Sequence, residues 1–133
     1  MTHEKEIEIR WRDLDAFGHV NHIVFLTYLE EVRDEWLGRV LGDAGLVWGY
    51  VIARVEIDYR RELTLEDDVV LARCSLERLG TKSVVTSESL VTRGGETAAE
   101  AKAVLVARDE ETGRSRVISD EERNAFERAA VEA

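Results

Sequence analysis

Residues 11–33, WRDLDAFGHVNHIVFLTYLEEVR, decide the fold. Asp15 stands seven positions before His22, with small, aromatic and imidazole residues between them. Asn21 is a good helix N-cap, and Val20 and Phe25 have the spacing of a hydrophobic staple around it. With Asn21 as cap, His22, Ile23 and Val24 hold the first helical positions. Their backbone N–H groups lack intrahelical partners and carry partial positive charge toward the Asp15 loop. Phe25, Leu29, Val32 and Trp36 continue as a core stripe. Ile23, Val24 and Leu26 widen it almost all round, which predicts that other structure wraps the helix start. Glu30, Glu31, Arg33, Asp34 and Glu35 restore a polar face, and Gly38 or Gly42 ends the helix.

On either side of this helix the chain reads as strands. Residues 4–11 alternate, with Ile7, Ile9 and Trp11 on one side. Residues 42–49 read as a loop. From Tyr50, VIARVEIDY alternates with Val51, Ala53, Val55, Ile57 and Tyr59 on one face. RRELTLEDD is a polar turn, VVLARCSLERL a third strand, and Gly80-Thr81 leads into SVVTSESLVTR. Gly94-Gly95 marks a hairpin. In the next strand Ala99, Ala101, Ala103, Leu105 and Ala107 share a face, and small side chains there allow the helix to pack close. RSRVI reads as a short last strand. Ser119 and Glu122 form a capping-box pattern before a short C-terminal helix. The economical arrangement is an α+β domain over residues 1–133: one long helix wrapped by a curved antiparallel sheet. An exposed sheet edge favours pairing with a second copy.

Composition narrows the function. The chain has 133 residues and a formal net charge of −10, with three lysines among 18 basic residues. That charge argues against a nucleic-acid partner. No apolar run is long enough to span a bilayer, and the N-terminal residues lack a signal-peptide core. The single cysteine, Cys74, forms no internal disulfide, so the expected setting is the reducing cytoplasm.

The pattern D-x-D-x-x-G-x-V-x-[HN], followed by an aromatic residue and E-x-x-R, resembles the signature of hotdog-fold acyl-CoA thioesterases of the 4-hydroxybenzoyl-CoA thioesterase type. IDYRRELTLEDDV, LGTKSV and ETAAEAKAVLVARD resemble that family's second strand with its exit loop, its strand 3–4 turn and its penultimate strand. The likeness covers most of residues 5–118. The DLD…HVN wording is also similar to plant-type acyl-carrier-protein thioesterases. The resemblance implies a hotdog fold and a thioester hydrolase. It implies Asp15 as catalytic carboxylate, the His22 N–H as the donor that polarises the thioester carbonyl, and the His22 side chain as its companion. It implies Gly18 as the glycine that lets the loop approach substrate, with His19 and Asn21 beside it. It further implies a homo-oligomer, dimer or tetramer. The family's Pro and Gly in the exit loop are replaced here by Glu62 and Glu66, which add negative charge near the expected entrance.

Several residues carry rival readings. Asp13 lies two positions from Asp15 and is expected to be structural, while Asp15 itself is also suited to capping a turn. His19 and His22 are three apart but have no nearby third ligand, so no metal is expected. Glu30 is an alternative helix carboxylate, and Cys74 reads as a small core residue. Arg60, Arg61, Arg78 and Lys82 sit in turns and suit coenzyme A phosphates. No separate cofactor is implied, because coenzyme A is part of the substrate. Asp15 can attack the carbonyl directly or activate a water, and the residues leave both open. They also leave open an acyl-carrier-protein substrate, or an acyl-CoA-binding protein without catalysis.

Overall fold

The computed structural model describes residues 2–42 and 49–131. The loop expected over residues 42–49 thus lies mostly outside the described residues. Five strands form one antiparallel sheet in the order β1-β3-β4-β5-β2: β1 (His3–Glu8), β2 (Tyr50–Tyr59), β3 (Val69–Leu79), β4 (Ser83–Thr92) and β5 (Thr97–Ala107). Helix α1 (His22–Leu41) lies across its concave face, and α2 (Asp120–Val131) packs beside α1. This is the helix-on-curved-sheet arrangement expected from the residue pattern, and the hotdog fold that the resemblance implied.

The helix begins as the local chemistry dictates. Asn21 Oδ1 accepts the Ile23 N–H at 3.0 Å, and the staple residues Val20 and Phe25 are both buried. Gly42 ends α1 with φ of 51°, a conformation that suits glycine, and donates its N–H to the Gly38 carbonyl. Phe25, Leu29, Val32 and Trp36 enter the core together with Val70, Ala72, Val84, Leu90 and Ala99. Burial of such side chains contributes about 1.5–3 kcal/mol each.

Four expectations need correction. Trp11 is 79% exposed, because the chain leaves β1 after Glu8 and makes a 3₁₀ turn at Trp11–Asp13. The start of α1 is not wrapped within one chain, since Ile23 is 61% exposed. The alternating residues of β2 are largely exposed, because β2 is an edge strand and has a register irregularity between Ile52 and Arg54. Residues 114–118 form only an isolated bridge, Arg108 with Ser115, since the turn after β5 folds back on Ala107 for a single rung. The alanine row of β5 is buried as expected, but the backbone of α1 lies closest to β3, then to β4 and β1.

Two buried polar systems tie the layers together, and the first corrects the expectation that Arg33 lies on the polar face of α1, since Arg33 is buried. Arg33 on α1 donates two hydrogen bonds of 2.8 Å to Glu88 on β4, which also accepts from the Thr86 hydroxyl at 2.6 Å. Glu122 of α2 completes the expected capping box with Ser119 and also receives Arg116 and the Tyr50 hydroxyl. Burial alone would raise the Glu122 carboxyl. Arg116, the Ser119 N–H and hydroxyl and the Tyr50 hydroxyl outweigh it and hold it at about 2.

Candidate active site

The loop before α1 is a compact turn built around Asp15. The Asp15 N–H donates to the His19 carbonyl at 2.7 Å, and the Gly18 N–H to the Asp15 carbonyl at 3.1 Å. Gly18 takes φ of 80°, which an L side chain rarely adopts. Asp15 Oδ1 accepts from the N–H groups of Phe17 at 2.9 Å and His19 at 3.3 Å. The turn-capping role is therefore present. Oδ2 has no hydrogen-bond partner among the described residues and stays available for chemistry.

Asp13 plays a different part. It is buried, and its carboxylate accepts the Tyr28 hydroxyl at 2.7 Å and the Arg10 N–H at 3.0 Å. Its carbonyl accepts the Asn21 N–H at 2.9 Å. Burial would raise its pKa, but the Arg10 N–H, the Tyr28 hydroxyl and the Arg10 guanidinium outweigh this and hold it below the usual range. Asp13 anchors the loop to α1, with no oxygen left for a substrate.

A cavity of about 370 Å³ is lined by Asp15, His19, Val20, His22, Phe25, Tyr59 and Arg60 to Glu62. The start of α1, the Asp15 turn and the end of β2 thus meet at one place. The His22 N–H, the first of the capped helix, makes no hydrogen bond among the described residues. His19 Nε2 lies 3.0 Å from Glu62 Oε2, so the glutamate that departs from the family pattern crosses the mouth to pair with the loop. The two histidines therefore have separate partners: His19 faces Glu62, and His22 meets Tyr59 edge-on. Glu30 lies on the exposed face of α1 and does not line the cavity.

Of the four cations expected near phosphate, Arg60 and Arg61 line this cavity; Arg78 and Lys82 do not. They flank the β3–β4 turn, at the other end of the 11-residue β3 from the loop bearing Glu62. That is about 30 Å of strand. Arg60 pairs with Glu100 at 3.3 Å, and Arg61 with Glu96 at 2.9 Å and Asp67 at 3.2 Å. The Arg60–Glu100 pair is exposed enough for an incoming phosphate to compete, while Arg61 is also held by the largely buried Asp67.

Tyr59 escaped the sequence reading as a site residue, being taken as one more core position of β2. Its hydroxyl donates to the His22 carbonyl at 2.9 Å, and partial burial raises its pKa, so it remains a donor. The available signal was a tyrosine, with its polar tip, at the end of an otherwise aliphatic row.

The profile of the Thioesterase-like superfamily matches residues 9–126 of this chain. The long-chain acyl-CoA thioesterase FadM of Escherichia coli K12 is 28% identical over 131 residues, covering 93% of this chain and 96% of FadM. A Thermus thermophilus thioesterase crystallised with coenzyme A and zinc is 30% identical, with a TM-score of 0.88 and coverage of 98% of this chain and 96% of that one. The probable thioesterase YbaW of Escherichia coli is 26% identical, with a TM-score of 0.83 and coverage of 96% and 98%. With a family match over most of its length, the chain belongs to the Thioesterase-like superfamily as a thioester hydrolase of the hotdog fold.

Proposed function

We propose that this chain hydrolyses acyl-CoA to the free acid and coenzyme A, with Asp15 as nucleophile or general base and the His22 N–H as oxyanion donor. The observation that carries this reading is a cavity shared by a carboxylate and a capped helix start, with one carboxylate oxygen and one N–H unpartnered among the described residues. A thioester carbonyl seated between them meets an attacking oxygen on one side. On the other it meets a donor aligned with the helix dipole. One such donor is worth about 3 kcal/mol in the transition state. Arg60 and Arg61, at the rim, are placed for the phosphates of coenzyme A. The acyl-CoA choice over a carrier protein follows FadM's named substrate and the coenzyme A bound to the Thermus relative.

The active form in this reading is a cytoplasmic homo-oligomer. Edge strand β2 leaves Val51 and Ile52 exposed, and Ile23 and Leu26 beside the site are uncovered in a single chain. A second copy covers such a face and edge. A solution mass near the 15.1 kDa of one chain contradicts this part.

The competing reading is an acyl-CoA-binding protein in which Asp15 only caps its turn, a role its Oδ1 does fill. Release of free thiol from acyl-CoAs with short, long and aromatic acyl groups separates the two. Turnover lost in Asp15→Asn supports hydrolysis. Tight binding of these thioesters without thiol release supports the binder.

A further inference from the structure

We infer that Tyr59 is a positioning and specificity-determining residue of this site: its hydroxyl holds the first turn of α1 through the His22 carbonyl, and its ring forms the floor against which the acyl group rests. The inference rests on the acyl-CoA reading above. Tyr59 is the last residue of β2, and its register partner on β5 is Ala99. A small, fully buried neighbour leaves the ring room to lean toward α1. There it meets Phe25 edge-on at 5.2 Å and His22 at 6.1 Å. Phe25 is buried while Tyr59 is 44% exposed, so Tyr59 keeps part of its ring surface in the cavity. With Val20 and Phe25 it supplies the apolar part of a lining that also holds Asp15, His19, Arg61 and Glu62.

The hydroxyl adds a second function. The His22 carbonyl has two lone pairs, one of which suits the helix's own i+4 bond. The other accepts Tyr59. This bond fastens the end of β2 to the residue whose N–H faces the reacting carbonyl. Arg60, Arg61 and Glu62 follow directly in sequence, so one side chain registers the rim with the helix start. Beside Tyr59 on β5 stands Ala99, and the next partners along the pair, Ala101 and Ala103, face Ile57 and Val55. Shortening Tyr59 therefore opens space next to a small neighbour.

Two variants separate the hydroxyl from the ring. Tyr59→Phe keeps the floor and removes the tie. Its kcat on the best acyl-CoA is expected to fall about three- to tenfold with KM little changed, the scale of one hydrogen bond. Tyr59→Ala removes the floor. Binding is read by calorimetry with non-hydrolysable thioether analogues of acyl-CoA, from butyryl to palmitoyl. The tightest-binding chain is expected to lengthen, each newly housed methylene adding about fourfold. If Tyr59→Ala fails to melt cooperatively, Tyr59→Leu is read in the same way. An unchanged kcat in Tyr59→Phe overturns the tie, and an unchanged chain-length ranking overturns the floor. A role in stability alone lowers Tm in both variants and leaves kcat and ranking unmoved. Failure of the wild type to release thiol overturns the hydrolase reading, while the binding series still judges the floor.

Discussion

The two ends of α1 obey opposite rules. From Leu29 to Leu37 the core-facing side chains are sealed, with Leu29, Val32 and Trp36 at 0% exposure. Arg33 is paired to Glu88 in the core, and Phe126 of α2 stacks near Trp36 at 6.1 Å. At the other end, Ile23 and Leu26 are uncovered, and among the described residues the His22 N–H and one Asp15 oxygen have no hydrogen-bond partner. The same helix is an anchor where its side chains are sealed, even though Trp36 Nε1 is buried there without a hydrogen-bond partner among the described residues, and a candidate site where its first turn stays open. Unsatisfied groups cost stability, so they persist where packing elsewhere supports them.

The largest expected effect is at the sealed end. Glu88→Ala leaves Arg33 charged and buried and is expected to cost about 3–5 kcal/mol in urea unfolding. Replacing both partners with hydrophobic residues of similar volume is expected to recover most of that loss. If the ends are separable, kcat of folded Glu88→Ala stays within about twofold of wild type. A large fall in kcat would mean that the anchor also sets the geometry at His22.

Next comes the open end. Asp15→Asn keeps the turn-capping oxygen but removes the nucleophile or base, and is expected to lower kcat at least about a hundredfold with KM little changed. Asp13→Asn shows the reverse, losing about 1–3 kcal/mol of stability with a smaller kinetic effect. Near-normal turnover in Asp15→Asn would remove Asp15 from the chemistry.

The sealed end also has a pH signature. Glu122 is held at about 2 against an ordinary 4.5, so it binds its proton less readily folded than unfolded. Its stabilisation is fully present above about 4.5 and is lost as pH falls toward about 2. A contribution on the order of 3 kcal/mol is expected at neutral pH. Thermal melts across this range should lose part of their pH slope in Glu122→Gln. An identical slope would assign the acid sensitivity to other carboxylates.

The smallest effect distinguishes the four candidate cations. Arg60→Ala or Arg61→Ala is expected to raise KM for acyl-CoA by about three- to tenfold, and Arg78→Ala or Lys82→Ala to leave it unchanged within one chain's site. A rise confined to Arg78 or Lys82 would place the phosphates at the far end of β3, or on a neighbouring copy.

Much of the fold could be read locally. The Asn21 cap, the Val20–Phe25 staple, the glycine stop, the hairpin at Gly94-Gly95 and the Ser119–Glu122 box depend on residues within a few positions of one another, and all are present. The alternation of β5 was legible because its inward side chains are buried. The alternation of β2 misled, since apolar residues on an edge strand need not face their own core. Asp15 and His22 share a loop and a helix start, so their meeting could be inferred from spacing.

What the sequence alone determined is thus most of the elements, their caps and the short turn that brings Asp15 and His22 to one cavity. Tertiary structure decided the pairs that join distant positions: Tyr59 with His22, His19 with Glu62, Arg33 with Glu88, and Tyr50 with Glu122. It also selected Arg60 and Arg61, rather than Arg78 and Lys82, to share a cavity with Asp15. Periodicity and capping are properties of neighbouring residues and are visible along the chain. The partner of a hydroxyl or a guanidinium depends instead on the register of the sheet and the placement of the helix over it. Those are settled when the layers close.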